Sequence, residues 1–208
     1  MLNFGNHPAP APLPWPEARP DGRRRRAGDW ILDDHQVESF DALLHDICPA
    51  APRVRPDQIA QVARWLLSLP AEQAQAMLAE RLARVDELRA LLEDPDWDRD
   101  SPGACRLRGL LGYFDNDGLI PNHVPLLGRL DDVLLLELAW PALADEVEDY
   151  LDFRAYRREA SPAGDGPARR QAWIRDRLDE LAWQQHRHRI DASRYTPQPE
   201  MEAFHVRG

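Results

Sequence analysis

Apolar positions along this chain recur mostly at three- and four-residue spacing, the repeat of one face of an α-helix. Val37, Phe40, Leu43, Leu44 and Ile47 make one such face, and Pro49 and Pro52 end it. Pro56 suits the first turn of a second helix, with Asp57 near the positive end of its dipole. That helix runs through Ile59, Val62, Trp65 and Leu66 to about Leu69, where Pro70 closes it. Residues 71–93 form the longest periodic segment. Leu78, Leu82, Val85, Leu88 and Leu92 share one face, with Met77 and Leu91 beside it and pairs such as Glu80 and Arg84 opposite. This face reads as core or as a seat for a partner helix.

A short helix over 104–113, a helix over 130–156 kinked at Pro141, and a last helix over 168–190 complete the pattern. The last one carries Trp173, Ile174, Leu178, Leu181 and Trp183. Nowhere does period-two alternation persist. The expected fold is all-α, a compact bundle of about six helices. The expected organisation is a disordered Pro/Arg-rich arm over 1–27, N-terminal helices over 29–100, a helical segment over 104–157, a C-terminal helix over 168–192 and a loose tail over 193–208. Residues 161–167, SPAGDGP, read as a linker.

The formal net charge of −10 argues against a nucleic-acid coat, so no nucleic-acid partner is expected. The arm sequence PAPAPLPWPEARP favours extended backbone. It serves as a spacer or as a ligand for a proline-binding partner. Arg23, Arg24, Arg25 and Arg26 follow it. They offer contact to an anionic membrane surface, or simply lie against the acidic body. Cys48 and Cys105 are too few for a disulfide framework or a thiolate zinc site; two buried, reduced thiols are expected, in a reducing compartment. The longest apolar run, residues 133–144, is broken by Glu137 and Pro141 and falls short of the roughly 20 residues a membrane span needs. With no apolar secretory segment visible at the start, the expected location is cytoplasmic.

The most unusual stretch is residues 112–136, GYFDNDGLIPNHVPLLGRLDDVLLL. Asp115, Asp117, Asn122, His123, Asp131 and Asp132 place oxygen and imidazole groups close together in sequence, the donors a divalent cation takes. Asp115, Asp117, His123 and Asp131 are the candidate metal ligands. The DNDG turn does not fit the register of an EF-hand loop, and adjacent aspartates on a helix point about 100° apart. An architectural role accounts for the same residues. Asp131 would cap the helix that follows, Asp132 would favour its dipole, Gly118 would supply a positive φ, and Pro121 and Pro125 would set two bends. The aspartates of 94–103 read as turn formers, Asp33, Asp34 and His35 as an acidic turn with a possible N-cap, and His186 and His188 as cations near a helix end. No HExxH, phosphate-cradling glycine loop or nucleophile elbow is present.

Tyr113, Leu119-Ile120-Pro121, Pro125, Leu127-Gly128 and Leu130-Asp131-Asp132 together resemble the YkvA-like family, bacterial and archaeal helical domains of unknown function. The resemblance implies a helical element and a bacterial origin, and brings no activity with it. This chain has Gly118 where that pattern has an aspartate before Leu-Ile-Pro, and Asn122 where it has an aspartate after. The expected function is a non-enzymatic interaction or scaffold protein, using the arm and the exposed side of 71–93. The alternatives are a metal-dependent hydrolase built on the acids and His123, and a peripheral membrane protein held by the arginines. Removing residues 1–27 is expected to leave helicity and melting intact while weakening partner capture.

Overall fold

The computed structural model describes residues 12–17, 25–116 and 118–194. They are mainly helical, as the periodicity indicates. A short antiparallel hairpin comes first: β1 (Arg26–Ala27) pairs with β2 (Trp30–Ile31). Gly28 turns the chain between them with φ +62°. Eight α-helices follow among the described residues: α1 (Asp34–Ile47), α2 (Pro56–Leu67), α3 (Ala71–Leu82), α4 (Arg84–Glu93), α5 (Pro102–Phe114), α6 (Leu130–Ala139), α7 (Ala144–Ala160) and α8 (Gly166–Arg194). The chain divides into two compact units, Met1–Asp152 and Phe153–Gly208, with α7 contributing to both.

In the first unit α6 is the central element. Leu130, Val133, Leu134, Leu135, Leu136 and Ala139 are all buried, and α1, α3 and α5 pack around it. A helix apolar on every side has no face to give to water, so it ends up in the middle. The helix edges obey local chemistry. Asp33 caps α1 by accepting from Gln36 N at 3.0 Å, and Ser101 caps α5 by accepting from Ala104 N at 3.0 Å. Buried Asp41 accepts from Val54 N at 2.8 Å and pairs with Arg53 at 2.5 Å, fastening the α1–α2 loop onto α1.

Five expectations change. The segment 71–93 is two helices, because the chain turns at Ala83. The helix foreseen over 130–156 is likewise divided, by a 3-10 turn at Trp140–Ala142 around Pro141; proline lacks the N–H that would continue the ladder. Residues 12–17 lie on the body, with Leu13 buried, so the disordered arm does not extend through them. Arg25 and Arg26, also assigned to the arm, enter the fold: Arg25 pairs with Asp34 at 2.5 Å and Arg26 begins β1. Arg23, Arg24 and the tail beyond residue 194 lie outside the described residues. Finally, Cys48 is buried but Cys105 is exposed, and both are free thiols.

In the second unit Phe153 and Trp173 meet edge to face at 5.7 Å, and the Arg157 guanidinium lies 4.7 Å over the Phe153 ring. Gly164, at φ +106°, makes the turn into α8, and Asp165 caps that helix by accepting from Ala168 N at 3.0 Å. No helix among the described residues is long and apolar enough to cross a membrane.

Candidate functional site

The unusual stretch forms a joint between α5 and α6, inside the first unit. Its anchor is Asp131, in the first turn of α6 and 1% exposed. Oδ2 of Asp131 accepts from Leu119 N at 2.6 Å, Ile120 N at 3.3 Å and the Tyr113 hydroxyl at 2.8 Å. One carboxylate oxygen thus gathers the end of α5, the Leu-Ile-Pro turn and the start of α6. Trp30 Nε1 donates to the Leu119 carbonyl at 3.0 Å, tying the hairpin to the same turn. Phe40 of α1 meets the Tyr113 ring edge to face at 5.7 Å.

Two glycines are required by space. A Cβ on Gly118 would lie 2.2 Å from Asp131 Oδ2 and 2.5 Å from the Tyr113 hydroxyl. A Cβ on Gly128 would lie 2.5 Å from the Asn122 carbonyl oxygen. Gly118, one of the two departures from the family pattern, therefore stands where any side chain would break the anchor.

The electrostatics follow from burial. Burial pushes the Asp131 carboxyl above its ordinary value, against the Tyr113 hydroxyl and the backbone N–H groups that favour its charged form. Burial and the Asp131 charge push the Tyr113 hydroxyl far up, so it remains a donor. Asp132 rises to about 7, chiefly through burial and then through Asp131, with Arg129 opposing. Arg129 Nε lies 3.1 Å from Asp132 Oδ2.

The candidate ligands separate in this geometry. Asp115 is exposed and pairs with Arg89 at 2.7 Å. Asp131 is buried and committed to the anchor. His123 is exposed on the loop before Pro125, and Asp117 lies outside the described residues. Among the described residues no three His, Cys, Asp or Glu side chains come together as a metal would require. Asp115, His123 and Asp131 therefore do not converge on one point among the described residues. The capping role foreseen for Asp131 also shifts: Arg129 occupies the N-cap without a side-chain bond, and both aspartates sit inside the first turn.

Beside the joint, against α3, lies a cleft of about 530 Å³. Leu78, Leu82, Val124, Pro125 and Leu126 line it, with His123 and Arg129 among its polar groups. Leu126 holds φ +65°, an uncommon conformation for a branched side chain. The cleft has the size and apolar character of a small-molecule site, without a paired acid and base. Tyr113 and Leu126 carry much of this geometry and were not foreseen in those roles. Tyr113 sits within the family-like pattern, which was the one available signal; nothing marked Leu126.

No family model, curated protein or solved structure matches this chain.

Proposed function

We propose that this protein is a non-enzymatic interaction protein that pairs its last helix with a helix of a partner. The observation that carries this is the apolar seam of α8. Ile174, Leu178 and Leu181 are 48%, 59% and 51% exposed, at the four- and three-residue spacing of a coiled-coil stripe. Single exposed apolar residues are ordinary, whereas three in register on a 29-residue helix form a continuous strip. Gln171, Gln185 and His188 extend the seam in polar form, which limits it to a specific register.

Its edges name the partner's chemistry. Arg170 and Arg177 run along one side of the seam and Arg175 and Arg189 along the other. Over the whole helix seven arginines stand against four acids, in a chain whose net charge is −10. The complementary surface is an apolar helical stripe edged by carboxylates. The resemblance of residues 113–133 to the YkvA-like family brings no reaction to set against this reading.

The test uses the full chain and two synthetic 21-residue helical peptides with leucine along the seam. One has glutamate at both edges and the other lysine. The glutamate peptide is expected to bind, more weakly as salt rises. The exposed double variant Leu178→Asp/Leu181→Asp should lose at least tenfold in affinity while keeping its circular dichroism. Equal binding of both peptides, or of neither, refutes the proposal.

A further inference from the structure

The cleft between the joint and α3 carries charge of one sign. Leu78 and Leu82 of α3 form one apolar side, and Val124 and Leu126 of the loop before α6 form part of the other. Its titratable groups are His123 and Arg129, and among the described residues no carboxylate lines it. In the chain as a whole acids outnumber lysine and arginine by 36 to 26. A lining with an arginine and no acid therefore runs against the composition around it. The volume of about 530 Å³ lies within the range of small-molecule sites.

The loop side of the cleft is held by its own backbone. Val124 N donates to the Pro121 carbonyl at 2.9 Å, Leu127 N to the Pro125 carbonyl at 2.8 Å and Gly128 N to the Val124 carbonyl at 2.9 Å. These bonds keep Leu126 in its left-handed conformation and set it in the wall. Arg129 follows directly, with Nε 3.1 Å from Oδ2 of the buried Asp132. That contact fixes the guanidinium at the edge of the cleft. Its terminal nitrogens have no partner among the described residues. Their paired N–H groups match the two oxygens of a carboxylate.

We infer that this cleft binds a small apolar carboxylic acid, with its hydrocarbon against Leu78, Leu82, Val124 and Leu126 and its carboxylate on Arg129. The apolar walls supply most of the affinity, and Arg129 decides the sign of the ligand's charge. A neutral molecule of the same shape gains the walls alone, and a cation meets the guanidinium as a like charge. Arg129 is half-exposed, so its preference for the acid over the neutral molecule is modest, about fivefold. Asp132 holds the guanidinium through Nε and the ligand takes the terminal nitrogens, so both contacts exist together. The cleft belongs to the first unit and the α8 seam to the second, so the two ideas fail separately.

The experiment titrates the full chain with octanoate, 1-octanol and octylammonium by isothermal calorimetry. Octanoate is expected to bind one to one with a Kd of about 0.1 mM, octanol about fivefold more weakly, and octylammonium more weakly still. Arg129→Gln should bring octanoate down to the affinity of octanol and leave octanol unchanged. Ala79→Trp, at an exposed α3 position that lines the cleft, fills the space and should abolish binding of both. Circular dichroism checks that each variant folds, and either folded variant alone suffices for the comparison. No octanoate binding to wild type at about 2 mM overturns the site. Equal affinity for octanoate and octanol overturns the carboxylate, as does an unchanged preference in folded Arg129→Gln. Unchanged octanoate binding by folded Ala79→Trp overturns the cleft as its place.

Discussion

Replacing Asp131 with alanine tests the anchor of the joint directly. In the native chain its Oδ2 accepts from Leu119 N, Ile120 N and the Tyr113 hydroxyl at 2.6, 3.3 and 2.8 Å. Alanine leaves the Ile120 N–H without an acceptor, at about 1–3 kcal/mol, and leaves the Leu119 N–H only the Tyr113 hydroxyl at 3.1 Å. The half-buried Tyr113 hydroxyl can turn toward water and costs less. Against this, the upward shift of the Asp131 carboxyl shows that its buried charge is itself unfavourable, and alanine removes that burden. The net loss is expected to be about 2–3 kcal/mol for alanine. Asparagine keeps one acceptor oxygen without the charge and should lose about 1–2 kcal/mol. Urea unfolding followed by circular dichroism measures both. With a slope of about 2 kcal/mol per molar, the alanine midpoint should fall by about 1–1.5 M at unchanged slope. A loss under about 1 kcal/mol for Asp131→Ala would show that the three donors find other partners and would refute the reasoning.

Asp132 sets a pH dependence of the opposite sense to a surface carboxylate. Its folded value of about 7 lies above the unfolded value near 4, so the native state holds the proton more tightly. The stability this contributes is full below about pH 4 and is lost as pH rises through about 7. The rise corresponds to at most about 4 kcal/mol, and solvent screening at the half-exposed Arg129 edge reduces the expected effect to about 2 kcal/mol. Asp132→Asn should therefore be more stable than wild type at pH 8 and nearly equal to it at pH 4.5, in paired thermal melts; a constant difference across that range counts against the assignment. Gly128→Ala should lose about 1–3 kcal/mol, because its new Cβ would lie 2.5 Å from the Asn122 carbonyl oxygen and backbone yields little. A melting temperature equal to wild type would mean that the joint opens at no cost.

Helical spacing and proline positions located most of the bundle. Val37 to Ile47, Pro56 and the apolar run after Leu130 each declare their element through local chemistry. The interruptions were harder to see. Ala83 is a good helix residue and keeps helical dihedrals, φ −58° and ψ −23°, so residue type does not mark the break between α3 and α4. The hairpin at residues 26–31 is two residues per strand, too short for alternation to register, although Gly28-Asp29 is a turn signal. At the joint, the acids were evident and their partners were not. Asp115 and Asp131 lie 16 positions apart and share residue type, yet one meets Arg89 on the surface and the other receives buried N–H groups.

Periodicity, proline placement and charge balance are properties of neighbours along the chain, so an all-α fold and the extended character of the N-terminal segment could be read without coordinates. Whether a carboxylate meets solvent, an arginine or a backbone amide depends on residues far away in sequence, and the tertiary structure decides it. The same holds for the seat of Leu13, 124 positions from the Glu137 that accepts its N–H. It holds also for the seam of α8, whose leucines have the same spacing as a core face and differ only in remaining exposed.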